Sequence, residues 1–155
     1  MVAAKMEHYQ FMKIAGDVDV TWCSHEAMRF AKNMGFDDNA VWSIGIAVSE
    51  LVSNVLKFAG HGGLTVRRIL TPKIGLELVV EDDGPGIDDP QAAVVDGYSE
   101  GMYLSDQDPV VPRRGLGSGL GAARRLLAEI IIELRPQGGT KIVGHKWLNN
   151  DNPFS

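Results

Sequence analysis

Val41, Ile44, Val48, Leu51, Val55 and Phe58 recur at steps of three or four, predicting one amphipathic helix from Asp37 or Asp38 to Ala59-Gly60. An earlier helix, capped by Asp17 or Asp19, runs to about Met34 and is closed by Gly35. Short alternating runs at 9–14, 64–70 and 76–81 read as strands. The last two are joined as a hairpin across Thr71-Pro72-Lys73, with Gly75 close behind. Residues 82–89 are turn-forming and 90–96 suit a short helix. From 97 to 121 the chain is rich in Gly and Ser and has no sustained period, as expected of a lid or binding loop. A helix over 121–129 follows, then strands over 130–134 and 140–147 joined by Pro136-Gln137-Gly138-Gly139, and a frayed tail over 149–155.

The order strand, helix, helix, hairpin, loop, helix, hairpin predicts an α/β sandwich with helices on one face of a mostly antiparallel sheet. Too few helical crossovers exist for a doubly wound parallel sheet. The 155 residues suit one domain, and apolar and charged fractions of 45% and 23% suit a packed core rather than a disordered chain. With 20 acidic residues against 15 basic ones, binding of nucleic acid through a large basic face is disfavoured. A single cysteine, Cys23, allows no internal disulfide and reads as a small buried thiol. The scattered histidines read as surface or packing residues. Met28, Met34, Trp22 and Trp42 read as packing residues of the helices. No stretch approaches the roughly 20 apolar residues that span a bilayer, so the expected location is cytoplasmic.

Three places carry chemistry. Glu50 and Asn54 lie four apart on one edge of the second predicted helix, in line with Ser43, Ala47 and Lys57. A carboxylate can take a proton from a nucleophile, and a neutral amide oxygen suits a hard Mg2+; a plain polar edge is the alternative. Asp82 ends an apolar run and precedes Gly84-Pro85-Gly86, so an acceptor sits beside a turn that lets a ligand approach the backbone. A bare Asp-Gly turn would look the same. Arg114-Gly115-Leu116-Gly117-Ser118-Gly119-Leu120-Gly121 leads into a helix and exposes N–H groups suited to polyphosphate. It lacks the Lys-Ser/Thr of a P-loop and follows no buried parallel strand.

In this order, Glu50-x-x-x-Asn54, Asp82-x-Gly84-x-Gly86, Gly115-Leu-Gly-x-Gly119-Leu-Gly121 and Gly139-Thr140 resemble the four boxes of the GHKL ATPase superfamily, with its Bergerat ATP-binding fold. The resemblance covers about residues 9–148. It implies a single kinase domain over 1–148, with a nucleotide lid at about 97–119 and a tail over 149–155. It further implies that Glu50 is the general base, Asn54 holds Mg2+, Asp82 binds the adenine amino group and Thr140 supports the adenine side. Gly84, Gly86, Gly115, Gly117, Ser118, Gly119, Leu120 and Gly121 would form the hinge and phosphate cradle.

Within the superfamily the chain is similar to anti-sigma-type serine/threonine kinases, and most of all to RsbT-type switch kinases of stressosome systems. The strings that carry this are Ser49-Glu50-Leu51, Glu81-Asp82-Asp83-Gly84-Pro85-Gly86-Ile87, Asp96-Gly97-Tyr98-Ser99 and Gly139-Thr140-Lys141-Ile142 ending in Lys146-Trp147. The segment 100–113 is longer than that family leads one to expect. Lys57 stands where related histidine kinases meet phosphate, and a solvated helix-end lysine is the alternative. The implied activity is ATP- and Mg2+-dependent phosphorylation of a STAS-domain anti-sigma-factor antagonist, in a pathway with a downstream phosphatase or sigma regulator. The rival readings are a nucleotide-dependent binding switch and an anti-sigma factor acting by sequestration.

Overall fold

The long apolar stripe forms the central element, helix α2 (Asp38–Phe58). Asp37 caps it by accepting from the Ala40 N–H at 2.8 Å. The computed structural model describes residues 8–84, 116–135 and 138–148. Before α2 come strand β1 (Tyr9–Ile14) and helix α1 (Val18–Met34); after it come β2 (Gly62–Ile69), β3 (Gly75–Asp82), α3 (Leu116–Leu126), β4 (Glu129–Leu134) and β5 (Thr140–Trp147). The strands form one five-stranded sheet in the order β1-β2-β3-β5-β4, every neighbouring pair antiparallel. The α/β sandwich is therefore as expected.

At the start of α1, Asp17 occupies the cap position without a side-chain cap bond. Asp19 does the bonding instead, its Oδ2 accepting from the N–H groups of Ala15 and Gly16. Gly35, left-handed at φ 106°, closes the helix.

One face of the sheet is apolar and covered. Met12, Ile14, Leu64, Val66, Leu76, Leu78, Val80 and Ile142 alternate inward and meet Ala47, Val48, Leu51, Val52 and Val55 of α2. Helix α2 is long and apolar enough, by length and composition, to cross a membrane, contrary to the expectation that no stretch approaches that length. Half of that apolar window is buried here, since the helix meets the sheet below and α1 and α3 at its sides.

Helix α3 begins five residues earlier and ends three residues earlier than its sequence predicts. Glycine costs roughly 1 kcal/mol per residue in a helix, so propensity places 116–120 in a loop. Leu120 and Ala123 are fully buried, and their packing against α2 outweighs that preference. At its other end the Lys146 ammonium donates to the Leu126 carbonyl at 2.8 Å, which satisfies an end carbonyl of the helix. Burial holds that ammonium below the usual lysine range, partly offset by Asp37.

Trp22 and Trp42 correct their reading as packing residues: they are 52% and 63% exposed. Each lies on the outer side of its helix, where an apolar residue has no sheet to meet. Met28 and Met34 do pack against the core. Cys23 is fully buried, and burial, with a smaller effect of Asp19, pushes its thiol up to about 11.

Candidate functional site

The site lies where the C-terminal half of α2 passes over one end of the sheet. Glu50 is partly exposed, and Asn54 follows one turn later on the same edge. Asn54 is 8% exposed, and its Nδ2 has no hydrogen-bond partner among the described residues. A buried amide without partners costs on the order of 1–3 kcal/mol, so it marks a place made for a ligand or an ordered water. Turned either way, the amide keeps a polar atom for that ligand: an oxygen for a cation or an N–H for a phosphate. Lys57 is exposed on the last turn, its Nζ 5.6 Å from the centroid of the Phe58 ring.

Below this helix end, the inward row of the sheet runs from Ile14 through Gly62 to Asp82, and Thr140 follows one step beyond the Glu81–Lys141 pair. The row turns polar at Asp82 and Thr140, the latter buried. Gly62 has no room for a Cβ, which would overlap the Glu81 carbonyl oxygen and press on Val55. Asp82 is fixed from its own turn: its Oδ1 accepts from the Gly84 N–H at 2.8 Å. Its second carboxylate oxygen retains acceptor capacity. Gly84 lets this turn lie against Ala59 at the end of α2, where a Cβ would come within 2.8 Å of the Ala59 Cβ.

Gly138 and Gly139 both hold positive φ, at 99° and 91°, a conformation that costs glycine little. A Cβ on Gly139 would overlap the carbonyl oxygen of Asp82. This turn therefore packs directly on the strand end that carries the acid. Thr140, beside it, belongs to the same corner as Asp82.

Two contributors escape sequence reasoning. The Arg135 Nη1 donates to the Asp82 carbonyl oxygen at 2.8 Å and to the Asp83 carboxylate at 2.9 Å, tying the end of β4 to the acid turn. An arginine just before a Pro-Gln-Gly-Gly turn carries no motif; only the antiparallel return of β4 and β5 brings it to residues 52 and 53 positions earlier in the chain. Gly62 is the other, and a glycine at a strand start was its available signal.

Of the remaining residues singled out above, Gly117, Ser118 and Gly119 lie in the first turn of α3 by their backbone. The Leu120 side chain is fully buried in the core, so any part it has in a phosphate cradle falls to its backbone. Gly121 is buried in the same helix. Gly86, Gly115 and most of the 97–119 segment lie outside the described residues, as do 90–96 and the tail. The site therefore brings together Asn54 and the end of α2 with Asp82, Gly84 and Thr140 at one corner of the sheet.

Comparison with known proteins places this geometry in a family. The family described as histidine kinase-, DNA gyrase B- and HSP90-like ATPase matches residues 43–149, from early in α2 to just beyond β5. The serine/threonine-protein kinase RsbT of Bacillus subtilis (strain 168) is 30% identical over 144 residues, which are 92% of this chain and 99% of that protein. Among solved structures, the RsbU and RsbW domains of Rv1364c from Mycobacterium tuberculosis share the fold at a TM-score of 0.59 and 16% identity, over 92% of this chain and 33% of that one. The SiaB–SiaC complex from Pseudomonas aeruginosa aligns with a TM-score of 0.57 and 10% identity, over 88% of each chain. The chain thus belongs to the histidine kinase-, DNA gyrase B- and HSP90-like ATPases, and within them to the RsbT-like serine/threonine protein kinases.

Proposed function

We propose that this kinase phosphorylates a serine or threonine of a STAS-domain antagonist protein, using Mg-ATP, within a partner-switching pathway. The observation that carries the reading is the buried Asn54 amide, whose Nδ2 has no partner among the described residues, one turn from Glu50 and above the sheet corner that holds Asp82. Bound Mg-ATP supplies the phosphoryl group and offsets charge on its oxygens.

This chain's own residues do the rest. Glu50 accepts the proton of the attacking hydroxyl; a carboxylate held on a rigid helix is placed for this without reorganising. Asn54 presents an amide oxygen to the cation. Asp82, held in one orientation by the Gly84 N–H, accepts from the exocyclic amino group of the base, and Thr140 lines the same corner. Arg135 acts through Asp82 and Asp83 as a positioning residue. The N–H groups at the start of α3 donate to phosphate oxygens, where the helix dipole favours negative charge. In this reading residues 1–148 are the kinase unit, 97–119 close over the nucleotide and Lys57 reaches phosphate.

Incubation with radiolabelled ATP, Mg2+ and a purified STAS-domain protein tests the proposal. The expected result is label on a serine or threonine of the partner, lost when the metal is chelated. A partner that binds the nucleotide-loaded protein but never takes label would overturn the kinase–substrate assignment and leave a binding switch.

A further inference from the structure

The inward row of β5 breaks its own pattern. Thr140, Ile142 and Gly144 are buried, and the next inward position, opposite the fully buried Leu76, is Lys146. An ammonium on a covered face is costly unless it finds a partner. Its partner is the carbonyl oxygen of Leu126, the last residue of α3, to which Nζ donates at 2.8 Å. Burial disfavours the charged form, and the Asp37 carboxylate at the cap of α2 partly offsets that. One side chain of β5 thus meets the end of α3 and the start of α2.

Two further contacts fix the chain just beyond α3 to the same strand. The Ala128 N–H donates to the His145 carbonyl oxygen at 2.8 Å. Leu127 lies over Gly144, where a Cβ would come within 2.7 Å of the Leu127 Cδ1. Along the helix, Leu120 and Ala123 are fully buried and Leu126 packs on the core. Apolar packing is non-directional, so it holds a helix against its neighbours but resists sliding along the helix axis weakly. Hydrogen bonds are directional, and those of Lys146 and Ala128 set the axial position of α3 from its C-terminal end.

We infer that Lys146 is a positioning residue for the nucleotide phosphates: it locks the C-terminal end of α3 to β5 and so sets where the N–H groups at the other end of the helix stand. The inference rests on the reading that the start of α3 meets phosphate. A helix of 11 residues is about 16 Å long and stiff along its axis, so a shift at Leu126 reaches Leu116 nearly undiminished. Hydrogen bonds to phosphate tolerate only a few tenths of an ångström. The first turns cannot fix themselves, because Gly117, Gly119 and Gly121 have little intrinsic preference for helix. The base corner is held differently. Asp82 is oriented by the Gly84 N–H, and Thr140 opens β5, about 20 Å along the strand from Lys146. Loss of Lys146 should therefore be felt at the phosphates and not at the base.

NMR titrations with adenosine and with Mg-ADP, followed at the Gly84 N–H beside Asp82, separate the two ends of the site and report the fold in the same spectra. The wild type should bind Mg-ADP more tightly than adenosine. Lys146→Met keeps an unbranched stem and removes the donor. Its Mg-ADP affinity should fall on the order of tenfold, the worth of one charged hydrogen bond, while adenosine binds as before. A general loosening of the fold would weaken both ligands alike. Hydrogen exchange of the wild type covers a Lys146→Met protein that does not fold. At equal site occupancy, Mg-ADP should slow the amides of residues 125–128 at the anchored end, and adenosine should not. A folded Lys146→Met protein that loses no Mg-ADP affinity, or loses both ligands equally, overturns the inference, as does Mg-ADP protection confined to the first turn of α3. A wild type that binds adenosine as tightly as Mg-ADP overturns the phosphate reading itself, and this inference with it.

Discussion

At the scale of single residues, Glu50 and Asn54 share a helix edge but differ in burial and task, so their substitutions should fail differently. Glu50→Gln keeps the size and removes the base; phosphotransfer should fall by roughly 10²–10⁴, with nucleotide affinity retained. Asn54→Ala removes the buried amide and should weaken Mg-nucleotide binding itself, read by calorimetry. A Glu50→Gln protein with wild-type turnover would reduce Glu50 to a polar edge. Cys23 gives a prediction with a definite sign. Its thiol is raised from 9.0 to about 11 in the fold, so the neutral form is favoured there and the unfolded chain loses the proton first. The stability this provides is complete below pH 9 and is lost as pH rises through about 11, up to about 3 kcal/mol in all. Urea titrations of wild type and Cys23→Ala should show a steeper loss in the wild type over that window, and parallel curves would refute the assignment.

At the scale of elements, the turn between β4 and β5 positions the acid corner, because Gly139 packs on the carbonyl of Asp82 and Arg135 reaches the same carbonyl from the end of β4. Gly138 provides an internal control: both glycines hold positive φ, but around Gly138 a Cβ would meet none of the described residues. Gly138→Ala should cost only backbone strain, on the order of 1 kcal/mol. Gly139→Ala adds the overlap with Asp82 and should cost several-fold more, roughly 2–4 kcal/mol, while displacing the carboxylate that the base would meet. Equal unfolding midpoints for the two variants would show that the turn is not pressed on β3.

At the scale of the whole molecule, α2 couples core and site: its apolar side is the main partner of the sheet, and its polar edge carries Glu50 and Asn54. Occupancy of the site should therefore stabilise the entire domain. A ligand at 100 times its dissociation constant adds about 2.7 kcal/mol, which for a domain of this size raises the melting temperature by roughly 5–10 °C. Differential scanning calorimetry with Mg-ADP should show this for the wild type and little of it for Asn54→Ala. A shift that survives in Asn54→Ala would place the nucleotide elsewhere.

Local pattern determined much of this protein without any tertiary information. The stripe of α2, the cap at Asp37, the stop at Gly35 and the alternation of the strands each follow from spacing and backbone preference, which act over a few residues. The ordered boxes around Glu50, Asp82 and Gly139 were likewise legible, because those residue types stand close together in sequence. Long-range packing decided the rest. Only the docking of α3 on α2 shows that the glycines at 117, 119 and 121 belong to a helix, since their intrinsic preference opposes it. Only the layer order shows that Trp22 and Trp42 face outward, because an apolar stripe says which residues avoid water and not which side of a helix has a neighbour. The reach of Arg135 to the acid turn depends on strand register, which joins residues dozens of positions apart and leaves no local trace in the chain.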